Sequence, residues 1–277
     1  MIYIKKEKEI DIIREGGRRL AAILEALINE TKPGVSTGSL EDLANRLIKT
    51  TGGSPAFKDY PMGDGIIFPS SLCVSINNEV VHGSALPSRL IKNGDIVDLD
   101  IGMEWPTTKE LRANFSAPIN SHSKDGGYFT DMCATVGVGK VSQEAKKLMN
   151  VTRQCLMEGI KQVKPGNKIN DIARAVSSLA KKNGYGVVRD LVGHGVGYFA
   201  HEEPDVFNFE IRENSPENIV LKPGMVIAIE PMINIGDWRI KVAKNGYTIL
   251  TADNSLSAHF EHTIAVTEDG FEILTDK

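Results

Sequence analysis

The segment Ile91-Lys-Asn-Gly-Asp-Ile-Val-Asp-Leu-Asp100 decides the fold, because a second segment of the chain repeats its pattern. That second segment is Leu221-Lys-Pro-Gly-Met-Val-Ile-Ala-Ile-Glu230, which lies 130 positions later. Each opens with an apolar residue, Lys, one variable residue and Gly, continues as a β-rich run, and ends in a carboxylate. Apolar runs of this kind indicate buried strands.

The sequence contains a second repeat at the same offset. Tyr128-Phe-Thr-Asp131-Met-Cys-Ala-Thr-Val136 matches Ala258-His-Phe-Glu261-His-Thr-Ile-Ala-Val266, again with a carboxylate opposite a carboxylate. A single match could arise by chance. Two matches at the same offset favour an internal duplication.

The segments upstream of these strands repeat as well. Residues 7–31 and 142–163 have helical spacing of apolar residues, and each is followed by Lys-Pro-Gly. A second helix is predicted to begin near Leu40 in one half and at Ile169 in the other. The layout predicts an α+β protein with a pseudo-two-fold axis, strands packed centrally and helices outside. A site on that axis would receive equivalent residues from both halves.

The composition argues against several classes of protein. The chain has 277 residues, 41% hydrophobic and 25% charged, which is typical of a globular protein of one or two domains. A net charge of −4 argues against a nucleic-acid-binding surface, and no apolar run approaches the roughly 20 residues of a membrane helix. The charged start does not resemble a signal peptide, and three scattered cysteines predict no disulfide framework. We therefore expect a cytoplasmic protein without membrane contact.

Four carboxylates in or beside β-rich segments are candidate metal ligands. They are Asp100, Asp131, Glu230 and Glu261. Each alone has an ordinary interpretation as an exposed residue at a strand end, but the repeat brings the four together, where their charges would repel one another. Divalent cations would resolve that repulsion. His194, flanked by glycines that allow close backbone approach, is the predicted fifth ligand. Imidazole and carboxylates without thiolate suit a two-metal hydrolytic site.

Three further polar residues stand near these candidates in the sequence. His82 and His201 are each suited to stabilise an oxyanion or to shuttle a proton, and each has a structural role as the alternative. Asp98 shares a strand face with Asp100, but its repeat counterpart is Ala228. We therefore interpret Asp98 as a support for the ligands and not as a ligand.

Seven segments, in order along nearly the whole chain, resemble the motifs of the type I methionine aminopeptidases. They are Ser75-Ile-Asn-Asn-Glu-Val-Val-His-Gly83, Gly94-Asp-Ile-Val-Asp-Leu-Asp100, Phe129-Thr-Asp131, Gly193-His-Gly-Val-Gly197, His201-Glu-Glu-Pro204, Ile229-Glu-Pro-Met232 and Ser257-Ala-His-Phe-Glu-His-Thr263. The resemblance implies the pita-bread fold, an α+β fold with pseudo-two-fold duplicated halves, a central antiparallel sheet and outer helices. It also implies that residues 1–277 form a single catalytic domain.

The resemblance assigns a role to each candidate ligand. It implies that Asp100 chelates one metal and that Asp131 and Glu261 bridge the pair. His194 and Glu230 would bind the other metal, and Glu230 would also take a proton from the bridging water.

The resemblance also implies how substrate is held. His82 and His201 are similar to the histidines that contact the substrate amide and stabilise the tetrahedral intermediate. The residues that resemble the wall of the methionine pocket are Phe57, Phe68, Cys73 and Tyr247. Tyr247 stands where the family often has Trp, and ordinary core packing is an equal alternative for Phe57 and Phe68.

The implied activity is metal-dependent removal of the N-terminal methionine from nascent proteins by hydrolysis of the first peptide bond. The implied cofactors are two divalent ions, drawn from Co, Mn, Fe and Zn. Nascent chains as substrates lead us to expect contact with the ribosome, and we expect a monomer. Two alternatives remain. An X-Pro aminopeptidase or prolidase of the same fold is disfavoured by the short region before the repeat, and a non-catalytic binding protein is disfavoured by the five retained ligand types.

The sequence departs from the family's short members between the two aspartates. Asp100 and Asp131 are 31 residues apart, where those members have about a dozen. The extra stretch, near residues 103–127, is polar and poor in strand signals after Trp105. A hairpin or lid near the site and an inert surface insertion are both open interpretations.

Overall fold

The computed structural model describes residues 1–276 as a mixed α and β structure. The helices are α1 (Glu7–Glu30), α2 (Thr37–Thr51), α3 (Lys109–Asn114), α4 (Gln143–Ile160) and α5 (Ile169–Lys182). The strands of the first half are β1 (Ser54–Pro55), β2 (Pro61–Gly63), β3 (Ile66–Ile67), β4 (Leu72–Ile76), β5 (Glu79–Val81), β6 (Ile96–Trp105) and β7 (Tyr128–Gly137). Those of the second half are β8 (Gly186–Val187), β9 (Gly193–Gly195), β10 (Glu202–Val206), β11 (Val226–Ile229), β12 (Met232–Asn234), β13 (Ile240–Val242), β14 (Ile249–Thr251), β15 (Ser257–Val266) and β16 (Phe271–Ile273).

The predicted helix pairs are present in both halves. Gly34 and Gly166, the glycines of the two Lys-Pro-Gly turns, have φ of 88° and 89°, so each turn uses the backbone freedom of glycine at the same place. The helix before each turn ends one to three residues earlier than predicted. Helix α2 begins at Thr37 and not near Leu40, because the Ser36 hydroxyl accepts the backbone N–H of Ser39 and caps it there.

The central sheet is antiparallel along its main path and joins the two halves. Its strand order is β1-β6-β7-β15-β11-β9-β10. Strands β7 and β15 meet in the middle, with Glu261 opposite Cys133. On the other side of this pairing, Thr263 donates its hydroxyl to the carbonyl of Asp131. These two contacts are images of each other under the 130-residue offset, so the pseudo-two-fold axis passes between β7 and β15.

The duplication is not identical in register. Asp98 lies opposite Thr135, whereas its counterpart Ala228 lies opposite Thr263 and not opposite Ala265. The second half is therefore displaced by two residues along β15. The strands also end at different places, because Asp100 lies in the middle of β6 while Glu230 follows the last residue of β11.

Each half has its own hydrophobic core. The first is built mainly from α1, α2, β4, β6 and β7, with Leu20, Leu27 and Ile101 fully buried. The second is built mainly from α4, α5, β11 and β15, with Leu148, Ile172 and Ile264 fully buried. In residues 1–276, no helix combines the length and the apolar character needed to cross a membrane.

The stretch between the two aspartates is largely a continuation of strands. Strands β6 and β7 pair in register from Ile96 opposite Gly137 to Trp105 opposite Tyr128, so only residues 106–127 form the connection. The connection contains α3, and Arg19 of α1 packs over the rings of Trp105 and Phe115. Residues 103–127 are therefore the outer part of a hairpin formed by β6 and β7, together with its connection.

Candidate metal and substrate site

A cavity of about 200 Å³ lies where the strands of the two halves meet. Its lining combines carboxylates and imidazoles on one side with apolar and aromatic side chains on the other. The lining residues are Phe57, Tyr60, Met62, Phe68, Cys73, Val81, His82, Asp100, Asp131, His194, His201, Glu230, His259 and Glu261. All five predicted ligands are among them. None of residues 106–127 is, which leaves the lid interpretation without a contact to the cavity.

The strands deliver the five predicted ligands from both halves. Asp100 and Asp131 come from β6 and β7, Glu261 from β15, His194 from β9, and Glu230 from the residue after β11. The glycines on both sides of His194 are needed because there is no room for a Cβ. On Gly193 it would lie 2.4 Å from the carbonyl oxygen of Ala228, and on Gly195 it would lie 2.3 Å from that of Glu203.

The five side chains form two overlapping groups. One ligand atom from each of Asp100, Asp131 and Glu261 lies within 4.8 Å of the others, and the same holds for His194, Glu230 and Glu261. Glu261 belongs to both groups, and Asp131 also groups with His194 and His201. A shared carboxylate between two such groups is the arrangement that a pair of cations requires.

The hydrogen bonds of His194 point to a cation. Its Nδ1 donates to the carbonyl oxygen of its neighbour Gly195 at 2.9 Å, because a carbonyl oxygen can only accept. The lone pair therefore lies on Nε2, which faces the Glu230 carboxylate at 3.4 Å. Burial lowers the pKa of His194 to about 3, so the ring is neutral near pH 7. Metal-binding histidines commonly donate their other ring N–H to a backbone carbonyl, as His194 does, and a cation between Nε2 and Glu230 would satisfy both acceptors.

The buried carboxylates also lack a positively charged or hydrogen-bonding partner. Burial raises the pKa of Asp100 to about 8 and raises the pKa values of Asp131 and Glu261 well above their usual range. One oxygen of each of these three carboxyls is buried without a hydrogen-bond partner. An unpaired buried carboxylate is costly, and a divalent cation removes that cost. The donor set thus fits hard or borderline divalent metals.

His82 and His201 lie at the same cavity, as the resemblance implies. His82 has φ of 57°, a left-handed conformation that residues other than glycine seldom adopt, and the Thr248 hydroxyl donates to its carbonyl oxygen. Burial lowers the pKa of His82 to about 4. His201 is more exposed, but the surrounding walls lower its pKa as well. Both rings are therefore neutral near pH 7, and a ring N–H of His82 is held by the backbone of Tyr247.

His259 is a site residue that sequence reasoning missed. Its Nδ1 lies 3.4 Å from Asp98 and its Nε2 lies 3.4 Å from Glu230, both carboxylates. Although burial acts in the opposite direction, these two carboxylates raise the pKa of His259 well above its usual range. Asp98 thus lies behind the ligands, as interpreted from its strand face, and contacts Glu230 only through this imidazolium. The alternation of β15, which places His259 on the face of Glu261, was the available signal.

The apolar side of the cavity contains three of the four predicted pocket residues. Phe57, Phe68 and Cys73 line it, whereas Tyr247 packs edge-on against Phe68 at 5.4 Å between ring centroids and lies behind the wall. Tyr60, Met62 and Val81 also line the cavity and were not predicted. Tyr60 precedes β2 and Met62 lies in it. The strands between β1 and β4 are only two or three residues long, so the sequence has no periodic signal there.

The chain is similar in sequence and in structure to several known peptidases. The chain matches Metallopeptidase family M24 over residues 11–109 and 106–268. It is 41% identical over 276 residues to "Methionine aminopeptidase 1" of Bacillus subtilis, covering 99% of both chains. The crystal structure of methionine aminopeptidase from Thermotoga maritima superposes with a TM-score of 0.86 at 36% identity and full coverage of both chains.

A more distant likeness concerns the fold alone. The prolidase from Pyrococcus horikoshii superposes with a TM-score of 0.73 at 23% identity, and this chain covers 63% of it. The pita-bread fold with its central antiparallel sheet is thereby confirmed. With matches of this extent and identity, the chain belongs to Metallopeptidase family M24 and is related throughout its length to the methionine aminopeptidases.

Proposed function

We propose that this chain removes the N-terminal methionine from polypeptides by divalent-metal-dependent hydrolysis of the first peptide bond. The observation that carries the proposal is the pair of overlapping ligand groups at one end of an otherwise apolar cavity. A relative with 41% identity over 99% of the chain is named methionine aminopeptidase, which supports the same activity here. The prolidase-like alternative has support only at the level of the fold.

We propose five residues as the ligands of a metal pair. They are Asp100, Asp131, His194, Glu230 and Glu261, with Asp131 and Glu261 shared between the two positions. The cations, when bound, would supply an activated water and an electrophile for the scissile carbonyl. The metal identity among Co, Mn, Fe and Zn is left open by the donor set, since carboxylates with one imidazole suit all four.

The remaining polar residues would bind and move protons. Glu230 is the proposed proton acceptor from the attacking water, because it lines the cavity and burial raises its pKa, which makes its carboxylate a stronger base. The neutral ring of His201 would donate a hydrogen bond to the oxyanion that develops at the substrate carbonyl, and the ring of His82 would contact the substrate amide.

The apolar wall would hold the methionine side chain. Phe57, Phe68 and Cys73 offer a lining without formal charge, and Met62 adds a flexible thioether that adapts to an unbranched ligand. Burial raises the pKa of Cys73 well above its usual range, so the thiol stays neutral and apolar in character. A side chain bound there would place the first peptide bond next to the ligand groups.

We further propose that residues 1–277 act as one catalytic domain, as a monomer in the cytoplasm, on nascent chains at the ribosome. The three free, buried cysteines support a reducing compartment. Light scattering and co-sedimentation with ribosomes would test the monomer and the ribosome contact separately.

The activity is tested with two peptides, Met-Ala-Ser and an X-Pro peptide, on chelated and on metal-restored protein. We expect metal-restored protein to cleave Met-Ala-Ser only, and chelated protein to cleave neither. Asp131→Asn should lower kcat/KM by at least about a thousandfold, the order of losing an organised charge at a reacting centre. The matched control is Asp269→Asn, on the exposed turn before β16. Preferential X-Pro cleavage, or full activity of Asp131→Asn, would contradict the proposal.

A further inference from the structure

His201 is held by a residue 141 positions earlier in the chain. The hydroxyl oxygen of Tyr60 lies 3.0 Å from Nδ1 of His201, and the two rings meet edge to face with centroids 5.1 Å apart. Among residues 1–276, Tyr60 provides the one hydrogen bond to the His201 ring. The residue that follows His201 is anchored elsewhere, by the ion pair between the side chains of Lys5 and Glu202. Tyr60 is therefore the contact that sets the orientation of the ring itself.

The backbone of Tyr60 is itself fixed by two hydrogen bonds. Its backbone N–H donates to the carbonyl of Phe57 at 3.0 Å, and its carbonyl accepts the N–H of Phe68 at 2.9 Å. The two phenylalanines line the apolar wall of the cavity. Burial also raises the pKa of Tyr60, so the phenol keeps its proton at neutral pH. A fixed, protonated hydroxyl next to an imidazole nitrogen is well suited to donate a hydrogen bond.

The direction of this hydrogen bond decides what His201 can do. A neutral imidazole carries one proton, on Nδ1 or on Nε2. When Tyr60 donates to Nδ1, the ring proton is on Nε2, the nitrogen that remains available to a ligand in the cavity. When the proton is on Nδ1, the cavity would face a lone pair, which repels a developing oxyanion.

We propose that Tyr60 is a positioning residue, whose hydroxyl fixes the orientation and the Nε2–H tautomer of His201 for donation to the substrate oxyanion. The inference deepens the proposed aminopeptidase function and rests on it. The ring of Tyr60 lines the cavity, and its hydroxyl acts on the reaction through His201. Its hydroxyl should therefore affect kcat, whereas its ring should affect KM.

The test compares Tyr60→Phe with Tyr128→Phe. Both substitutions remove one phenol hydroxyl, but that of Tyr128 lies 3.2 Å from Glu9, outside the cavity. With Met-Ala-Ser as substrate, we expect Tyr60→Phe to lower kcat about tenfold, the contribution of roughly one hydrogen bond, with KM changed less than about twofold. Tyr128→Phe should leave both constants close to the wild-type values. An unchanged kcat in Tyr60→Phe, or a change confined to KM, would overturn the proposal.

A double-mutant cycle shows whether Tyr60 acts through His201. In a His201→Ala background the hydroxyl of Tyr60 has nothing to position, so Tyr60→Phe should have no further effect on kcat. If the two substitutions are instead additive, the hydroxyl acts independently of His201 and the proposal is wrong.

A spectroscopic measurement separates this inference from the aminopeptidase proposal. In metal-free protein with ¹⁵N-labelled histidine, His201 of the wild type should show a protonated Nε2 and an unprotonated Nδ1 by ¹⁵N chemical shift. Tyr60→Phe should mix the two tautomers, and Tyr128→Phe should not. A wild-type protein that fails to cleave Met-Ala-Ser contradicts the aminopeptidase proposal only, whereas a protonated Nδ1 in the wild type contradicts the role of Tyr60.

Discussion

At the scale of single residues, the site brings several buried carboxylates together, and one buried histidine offsets part of their negative charge. The buried imidazolium of His259 lies between Asp98 and Glu230 and neutralises part of their charge. Asp100, Asp131 and Glu261 each still have one buried oxygen without a hydrogen-bond partner. Their raised pKa values mean that the metal-free protein keeps protons on this group near neutral pH. Metal binding must therefore release protons.

The metal-free protein should become less stable as the pH rises from 7 to 8, above the range in which the lowered pKa values of His82, His194 and His201 act in the opposite direction. Asp100 titrates near pH 4 when unfolded but at about 8 when folded, so the folded state binds more protons across this interval. Stability falls with pH wherever the folded state binds more protons. Thermal unfolding of chelated protein should show the falling Tm, and saturating metal should abolish the slope. A Tm of the chelated protein that rises over this range would contradict the account.

The residues that form the site were only partly predictable. Asp100, Asp131, Glu230 and Glu261 were identified because an exact offset makes two pairs of acids equivalent. His259 and Tyr60 were not, because each owes its place to contacts with residues more than 100 positions away. Such contacts depend on strand register and on loop conformation. The displacement of β11 by two residues along β15 shows that the sequence repeat does not determine the strand register.

At the scale of elements, the segment before α1 anchors β10, the strand that follows His201, through a buried ion pair. The Lys5 ammonium pairs with the Glu202 carboxylate, with 1% and 2% of the two side chains exposed. The backbone N–H of Lys5 donates to the carbonyl of Gly224, and its ammonium lies 5.3 Å from the centre of the Tyr198 ring. A Cβ on Gly197 would lie 2.7 Å from Cε of Lys5, so this glycine makes room for the buried lysine.

Lys5→Met should destabilise the protein by about 3–5 kcal/mol, because it leaves the Glu202 carboxylate buried without its cation. Lys6→Met is the matched control, since Lys6 is exposed and should change stability by less than about 0.5 kcal/mol. Urea unfolding measured at the same pH compares the two. Equal midpoints for the two variants would show that the ion pair contributes nothing to the fold.

The connection of residues 106–127 is hydrogen-bonded to the segment that precedes His201. The Asn120 amide donates to the carbonyl oxygens of Gly127 and Tyr198, at 2.7 and 2.9 Å. Asn120→Ala should lower the free energy of unfolding by about 1–3 kcal/mol, because two carbonyls lose their donor. The kcat of the variant should stay close to the wild-type value, since this connection does not line the cavity. A large loss of kcat with unchanged stability would instead revive the lid interpretation.

At the scale of the whole molecule, each half has a core, but neither half has a site. The ligand groups form only where β7 and β15 pair across the pseudo-two-fold axis. The sequence repeat predicted this convergence, because an axis between duplicated strands brings equivalent carboxylates together. Metal bound at the axis should therefore stabilise both halves at once.

The central claim is that buried acids from both halves tolerate their shared charge because cations lie between them. A crystal structure of the protein saturated with Mn²⁺, with anomalous difference maps at the manganese edge, tests this most directly. The account predicts two peaks about 3.5–4 Å apart, one next to Asp100 and the other next to His194 and Glu230, with Asp131 and Glu261 contacting both. A saturated crystal with no peak among these residues, and with their carboxyls protonated or facing solvent, would contradict it.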